Sequence, residues 1–250
     1  MKRYSRLFKK LQYLSLLSAL IFSVSSQPEH AHALEPVTFA TDWKAQAEQG
    51  GFYQAKALGL YEKAGLNVVI RGGGPGINIP QLLGAQAIDF AMGSNSFILL
   101  NMAQAGVPAR AVMAAFQKDP QVLITHDRDD IKSISDMKDK PIMIADASIN
   151  AFWVWMRARY GFSDKQIRKY TFNLAPFIVD KNAIQQGYAT SEPFTISKNG
   201  VTPKVFLLSD EGYPSYAAMV IAQNKLIEEK PEIVQAFVTA SIEGWRSYLM

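Results

Sequence analysis

The sequence predicts an α/β protein built as two lobes, and three observations carry that prediction. Short apolar runs alternate with helical stretches from residue 36 to residue 249. Glycines close several of the helical stretches. One densely charged segment, DRDDIKSISDMKDK (127–140), interrupts the alternation before a second cycle begins. Two α/β lobes, 34–126 with 214–250 and 127–213, joined at that crossing, are the simplest layout.

The elements follow in order. PVTFAT (36–41) alternates as a strand should, and 51–59 carries Phe52, Ala55 and Leu58 at helical spacing up to Gly59. LNVVI (66–70) is a nearly continuous apolar run, the pattern of a parallel strand buried on both faces. It enters the turn RGGGPG (71–76), after which 77–83 predicts a short helix. AIDFAMG (87–93) predicts a strand, followed by a helix through Phe97, Leu100 and Ala103. VPARAVMAAF (107–116) and QVLITH (121–126) add two strands. Within the charged crossing only 133–138 predicts a short helix. The second cycle runs strand 141–146, helix 149–160, strand 170–174, helix 180–187 ending at Gly187, and strands 204–210 and 217–223. PEIVQAFVTASIEGWRSYL closes the chain as a strongly patterned helix with Pro231 in its first turn. Trp153 and Trp155, two apart on a helix, face different ways. At least one belongs in the core, as does Trp245.

Charge excludes one class of function. Of 26 basic and 22 acidic residues, five basic and one acidic fall in residues 1–33, leaving 21 of each in the remainder. A neutral body gives no basic patch for nucleic acid or anionic membrane. The first 33 residues read as a signal peptide: a cationic start, MKRYSRLFKK, the apolar run LSLLSALIFSV, and Ala31-His32-Ala33 before a cleavage point. Export to the periplasm is the expectation. With no cysteine there is no disulfide, no thiolate nucleophile and no cysteine-based metal site. Of three histidines, two lie in the signal segment. His126 alone builds neither a typical zinc site nor a defensible Ser-His-Asp triad, so no cofactor, no metal and no catalytic residue is expected.

Ligands in open α/β sheets sit beyond the carboxyl ends of strands. Those positions here hold Asp42 and Trp43, then Asn78, then Ser94 and Asn95, then Ser148 and Asn150, then Tyr188 and Glu192. The Gly50-Gly51 pair opening a helix offers backbone N–H groups. Amide and hydroxyl groups with two aromatic rings suit a small polar or heteroaromatic molecule bound without chemistry. RGGGPG lacks both the Lys-Ser/Thr pair of a phosphate loop and the Rossmann spacing, so it reads as a turn.

The run DWKAQAEQGGFYQAKALGLYEKAGLNVVI, then GGGPGIN and IDFAMGSNS, then ISDMKDKPIMI, GYATSEPFTI and PEIVQAFVTASIEGW, resembles substrate-binding proteins of ABC importers. The group concerned includes sulfonate/taurine-type binders and binders of thiamine pyrimidine precursors. The resemblance spans about 35–249. It implies a type II periplasmic-binding-protein fold with a ligand cleft between its lobes, closing on a small-molecule ligand. It also implies a monomer that docks on an ABC permease in the inner membrane. Trp43 and Glu192 match the strand-end aromatic and second-lobe glutamate that contact the heterocycle in the pyrimidine branch, with Tyr188 as a second stacking partner. Gln49 stands where the family often has a histidine before its glycine pair. The resemblance further implies several tens of residues beyond Met250. The alternatives are an alkanesulfonate-type anion binder and the eukaryotic pyrimidine synthase of the same fold, whose active-site histidine and cysteine-rich motif have no counterpart here.

Overall fold

The computed structural model describes residues 33–74 and 76–250; the expected signal segment lies outside the described residues except for Ala33. Among the described residues, ten strands form two five-stranded sheets. The first orders its strands β2 (Leu66–Arg71), β1 (Glu35–Ala40), β3 (Phe90–Asn95), β10 (Ala217–Gln223) and β4 (Ala109–Phe116). The second orders them β7 (Ile167–Lys169), β6 (Ile142–Ile144), β8 (Ile184–Tyr188), β5 (Gln121–His126) and β9 (Pro203–Leu207). β1 runs parallel to β2 and β3, and β6 parallel to β7 and β8. β10 is antiparallel to both its neighbours, as is β5 to both of its own. Each sheet thus receives in fourth place the strand that arrives from the other lobe. β5 pairs in the second sheet, so the first crossing falls between Phe116 and Gln121 rather than after residue 126. The return lies between Leu207 and Ala217.

Three further sequence expectations are corrected. β2 is an edge strand, and its burial alternates, with Val68 buried and Val69 half exposed, so one face meets solvent rather than neither. The strand expected at 170–174 is Ile167–Lys169, and 170–174 is irregular, with Phe172 in the left-handed region at φ 64°. The helix expected at 180–187 is instead β8, the middle strand of its sheet. Its pairing with β5 and β6 outweighs the helical preference of its glutamines. The helix nearby is Ala175–Val179.

Lobe 1 is held by aromatic stacking. The last helix, Pro231–Leu249, sends Phe237 between Phe90 (ring centroids 4.2 Å) and Tyr61 (5.2 Å), with the edge of Phe39 against it. Tyr61 shares a 2.9 Å hydrogen bond with Ser241, satisfying both buried hydroxyls. The Gly50-Gly51 pair begins the helix Gly50–Ala57 at this same contact. A Cβ on Gly50 would overlap the Tyr248 ring, one on Gly51 the Trp245 indole, and one on Gly244 would come within 2.8 Å of the Ala55 nitrogen. The glycines let the two helices approach backbone to backbone. Lobe 2 packs Trp153 and Met156 on Ile142 and Ile144, with the Trp153 indole N–H donating to Asp164 at 2.9 Å. Trp153 and Trp245 are core, and Trp155 is partly buried, as the spacing predicts.

Candidate functional site: a cleft between two lobes

The carboxyl ends of β1, β3, β6 and β8 converge on one cavity of about 530 Å³, walled by both lobes. Asp42, Trp43, Asn78, Ser94 and Asn95 line it from lobe 1; Ser148, Asn150, Tyr188 and Glu192 line it from lobe 2. Gly50 and Gly51 do not; their place is the helix contact just described.

Local chemistry fixes each wall. Gly73 hangs the glycine loop on the end of β1, its N–H donating to Thr41 Oγ1 (3.1 Å) and to the Trp43 carbonyl (3.2 Å). Any Cβ there would collide with the Asp42 backbone, which is why a glycine turn follows β2. The loop therefore sets the exit path of Asp42 and Trp43. Asn78 and Asn95 are helix N-caps: Asn78 Oδ1 accepts from Gln81 N–H, and Asn95 Oδ1 from the N–H groups of Phe97 and Ile98. Their acceptor oxygens are occupied, which leaves the amide NH2 groups as the ends free to donate.

Carboxylates dominate the electrostatics. Ser94 donates its hydroxyl to Asp42 Oδ2, while Oδ1 is out of solvent and has no hydrogen-bond partner. Burial, reinforced by the nearby Glu48, pushes the Asp42 carboxyl up to about 6 against the pull of Ser94. Glu192 accepts from Tyr188 N–H at 2.8 Å and from Tyr170 O–H at 3.1 Å; burial pushes it up although both donors favour its charged form. Tyr188, enclosed near Asp119, Asp42 and Glu48, has its phenol pushed well above the ordinary value, burial being the main cause. Asp146 at the rim pairs with Lys169 at 3.0 Å. No lysine or arginine among the described residues lines the cavity.

Glu48, Gln46, Gln121, Gln186 and Tyr170 also line it and were not singled out in the sequence, and Gln49 lines it too. Glu48 ties the lobes together, accepting the hydroxyls of Thr190 and Ser191. Asn101 donates to the Asn150 carbonyl at 2.9 Å, and Trp43 meets the edge of Phe172 at 5.3 Å. The lobes are therefore shut over the cavity. Gln49, in the place of the family histidine, is buried and accepts from Gln46 N–H at 3.0 Å. His126 stacks on Phe177 and bonds its carbonyl at 2.7 Å; it does not line the cavity.

Two mixed sheets exchanging one antiparallel strand each around a central cleft make this a periplasmic-binding-protein fold, and solved structures agree. The aliphatic sulphonate binding protein SsuA of Escherichia coli superposes with a TM-score of 0.62 at 16% identity, over 84% of this chain and 72% of its own. The Candida albicans CA3427 gene product, which has the same generic fold, gives 0.62 at 14% identity, over 86% and 72%. The chain belongs to the NMT1/THI5-like family, whose model matches residues 46–250. The riboflavin-binding protein RibY of Chloroflexus aurantiacus is 26% identical over 224 residues, 87% of this chain. The chain spans 63% of that relative's length. A Haemophilus influenzae protein whose name assigns it to thiamine biosynthesis is 22% identical over 96% of this chain and 75% of its own.

Proposed function

We propose that the protein is the solute-binding component of an ABC importer. It acts in the periplasm as a monomer and carries a small heteroaromatic compound, a thiamine pyrimidine precursor or a related ring, to a membrane permease. The observation that carries this reading is the composition of the cavity: Trp43, Tyr170 and Tyr188 beside amides and carboxyls, with no lysine or arginine among the described lining residues. Flat rings stack on aromatic side chains, and ring nitrogens and exocyclic amines pair with carboxyl and amide groups. A sulfonate needs cationic or N–H-rich partners, so the alkanesulfonate alternative is disfavoured despite the shared fold. The names of the riboflavin-binding and thiamine-related relatives point the same way. A synthase-like enzyme is disfavoured because the one histidine left outside the expected signal segment, His126, is spent on Phe177.

Solute touching both lobes favours the shut form by its differential affinity for that form. A thermal-shift screen of the purified protein against aminopyrimidines, riboflavin, thiamine and alkanesulfonates tests the reading. At about 100 times Kd, a heterocycle stabilises by about 2.7 kcal/mol. Trp43→Ala should abolish the rise. A shift produced only by alkanesulfonates refutes the heterocycle assignment.

A further inference from the structure

We propose that the solute is bound as a monocation, its charged nitrogen edge held by Asp42, and that binding is linked to pH through that carboxyl. This rests on the reading of the cavity as the solute site and adds the charge of the solute.

Three carboxyls, Asp42, Glu48 and Glu192, face one enclosed space, and every donor they have is neutral. Asp42 has the Ser94 hydroxyl, Glu48 those of Thr190 and Ser191, and Glu192 the Tyr188 N–H and the Tyr170 hydroxyl. The nearby cations are occupied elsewhere. Lys169 pairs with Asp146 at the exposed rim, and Lys44 is exposed, its Nζ 5.5 Å from the centre of the Phe172 ring. Asp119, beside Tyr188, adds a further acidic group, and Gln49, beside Asp42, is neutral. A shut cavity with several anions and no cation is costly, because charges removed from water are compensated only by a partner of opposite sign. A cationic solute supplies that partner, and a neutral or anionic one does not.

Asp42 is the position for it. Glu48 and Glu192 each already accept two hydrogen bonds, whereas Asp42 accepts one and leaves Oδ1 buried and unpaired. A protonated aminoheterocycle presents a charged ring N–H, and such a charge-assisted donor bonds a carboxylate more strongly than a neutral one. The cavity, about 530 Å³, holds one or two such rings. The Asp42 carboxyl, raised by burial to about 6, must be ionised to hold a cation. Binding below that pH therefore expels a proton, and affinity falls about tenfold per pH unit.

The probes are 4-aminopyridine, a cation from pH 5 to 8, and aniline, its neutral isostere, titrated by NMR or calorimetry into the purified protein. At about pH 7.5, 4-aminopyridine should bind at least about tenfold tighter than aniline. That affinity should drop about tenfold on going to about pH 5. Asp42→Asn should remove the cation's advantage, whatever it does to the absolute affinities. If that variant does not fold, Ser94→Ala serves: losing the donor that favours the ionised carboxyl should move the midpoint of the pH dependence upward. Aniline matching 4-aminopyridine, a pH-independent preference, a preference that survives in Asp42→Asn, or no 4-aminopyridine binding overturns the inference. If neutral riboflavin binds where 4-aminopyridine does not, the inference fails and the proposed function stands. If only ethanesulfonate binds, both fail.

Discussion

Asp119→Asn should stabilise the protein at alkaline pH and leave it unchanged in acid. Asp119 lies on the crossing between β4 and β5, about 1% exposed, with its N–H donating to the Ser215 carbonyl (3.1 Å) and its Oδ1 accepting from Gln121 N–H (2.9 Å). Burial is the dominant influence on its carboxyl and raises it from 3.8 to about 7. Because the folded form holds the proton more tightly than the unfolded chain, the associated stability is complete below about pH 4. It is lost as pH rises through about 7. A rise of about 3 units corresponds to about 4 kcal/mol at 1.36 kcal/mol per unit, an upper bound because water and side chains relax around a buried charge. Asparagine keeps the acceptor for Gln121 and removes the charge. At about pH 8 the variant should melt at least about 5 °C above the parent, and near pH 4 the two should coincide. The assay is thermal unfolding of both proteins by circular dichroism from about pH 4 to 8. Coincident profiles at every pH, or a variant less stable at pH 8, would refute the reasoning.

Two further predictions concern packing and the site. Gly244→Ala forces a methyl against the backbone of Ala55 and Gly51 and should cost about 1–3 kcal/mol in urea unfolding, with no change in the far-ultraviolet spectrum. Glu192→Gln retains one side-chain carbonyl for two donors, Tyr188 N–H and Tyr170 O–H, so one loses its partner. That should cost about 1–3 kcal/mol of stability, read by the same unfolding.

The alternation that announced two α/β lobes was legible because apolar runs such as PIMIAD and AAMVIAQ record burial directly. Strand partners are not recorded that way. IQQGY reads as helix end, yet it occupies the centre of a sheet, with Gln185 wholly buried and its amide unpaired. LNVVI is apolar enough for a central strand, but its neighbours leave it at an edge. The strand-end rule found nine of the cavity residues because it reads topology. It missed Glu48 and Tyr170, which reach the cavity from a short 3-10 turn and from the irregular stretch after β7. The glycine pair was read as offering N–H groups to a ligand, whereas it serves the close approach of two helices. Its partners, Trp245, Tyr248 and Gly244, lie nearly two hundred residues away, beyond any local pattern.

The most direct test of the account is a calorimetric titration of the purified protein with a 4-aminopyrimidine and, separately, with ethanesulfonate. The account predicts one-to-one binding of the aminopyrimidine, weakened by Trp43→Ala, and no heat from the sulfonate. Saturable binding of ethanesulfonate with none for the aminopyrimidine would contradict it.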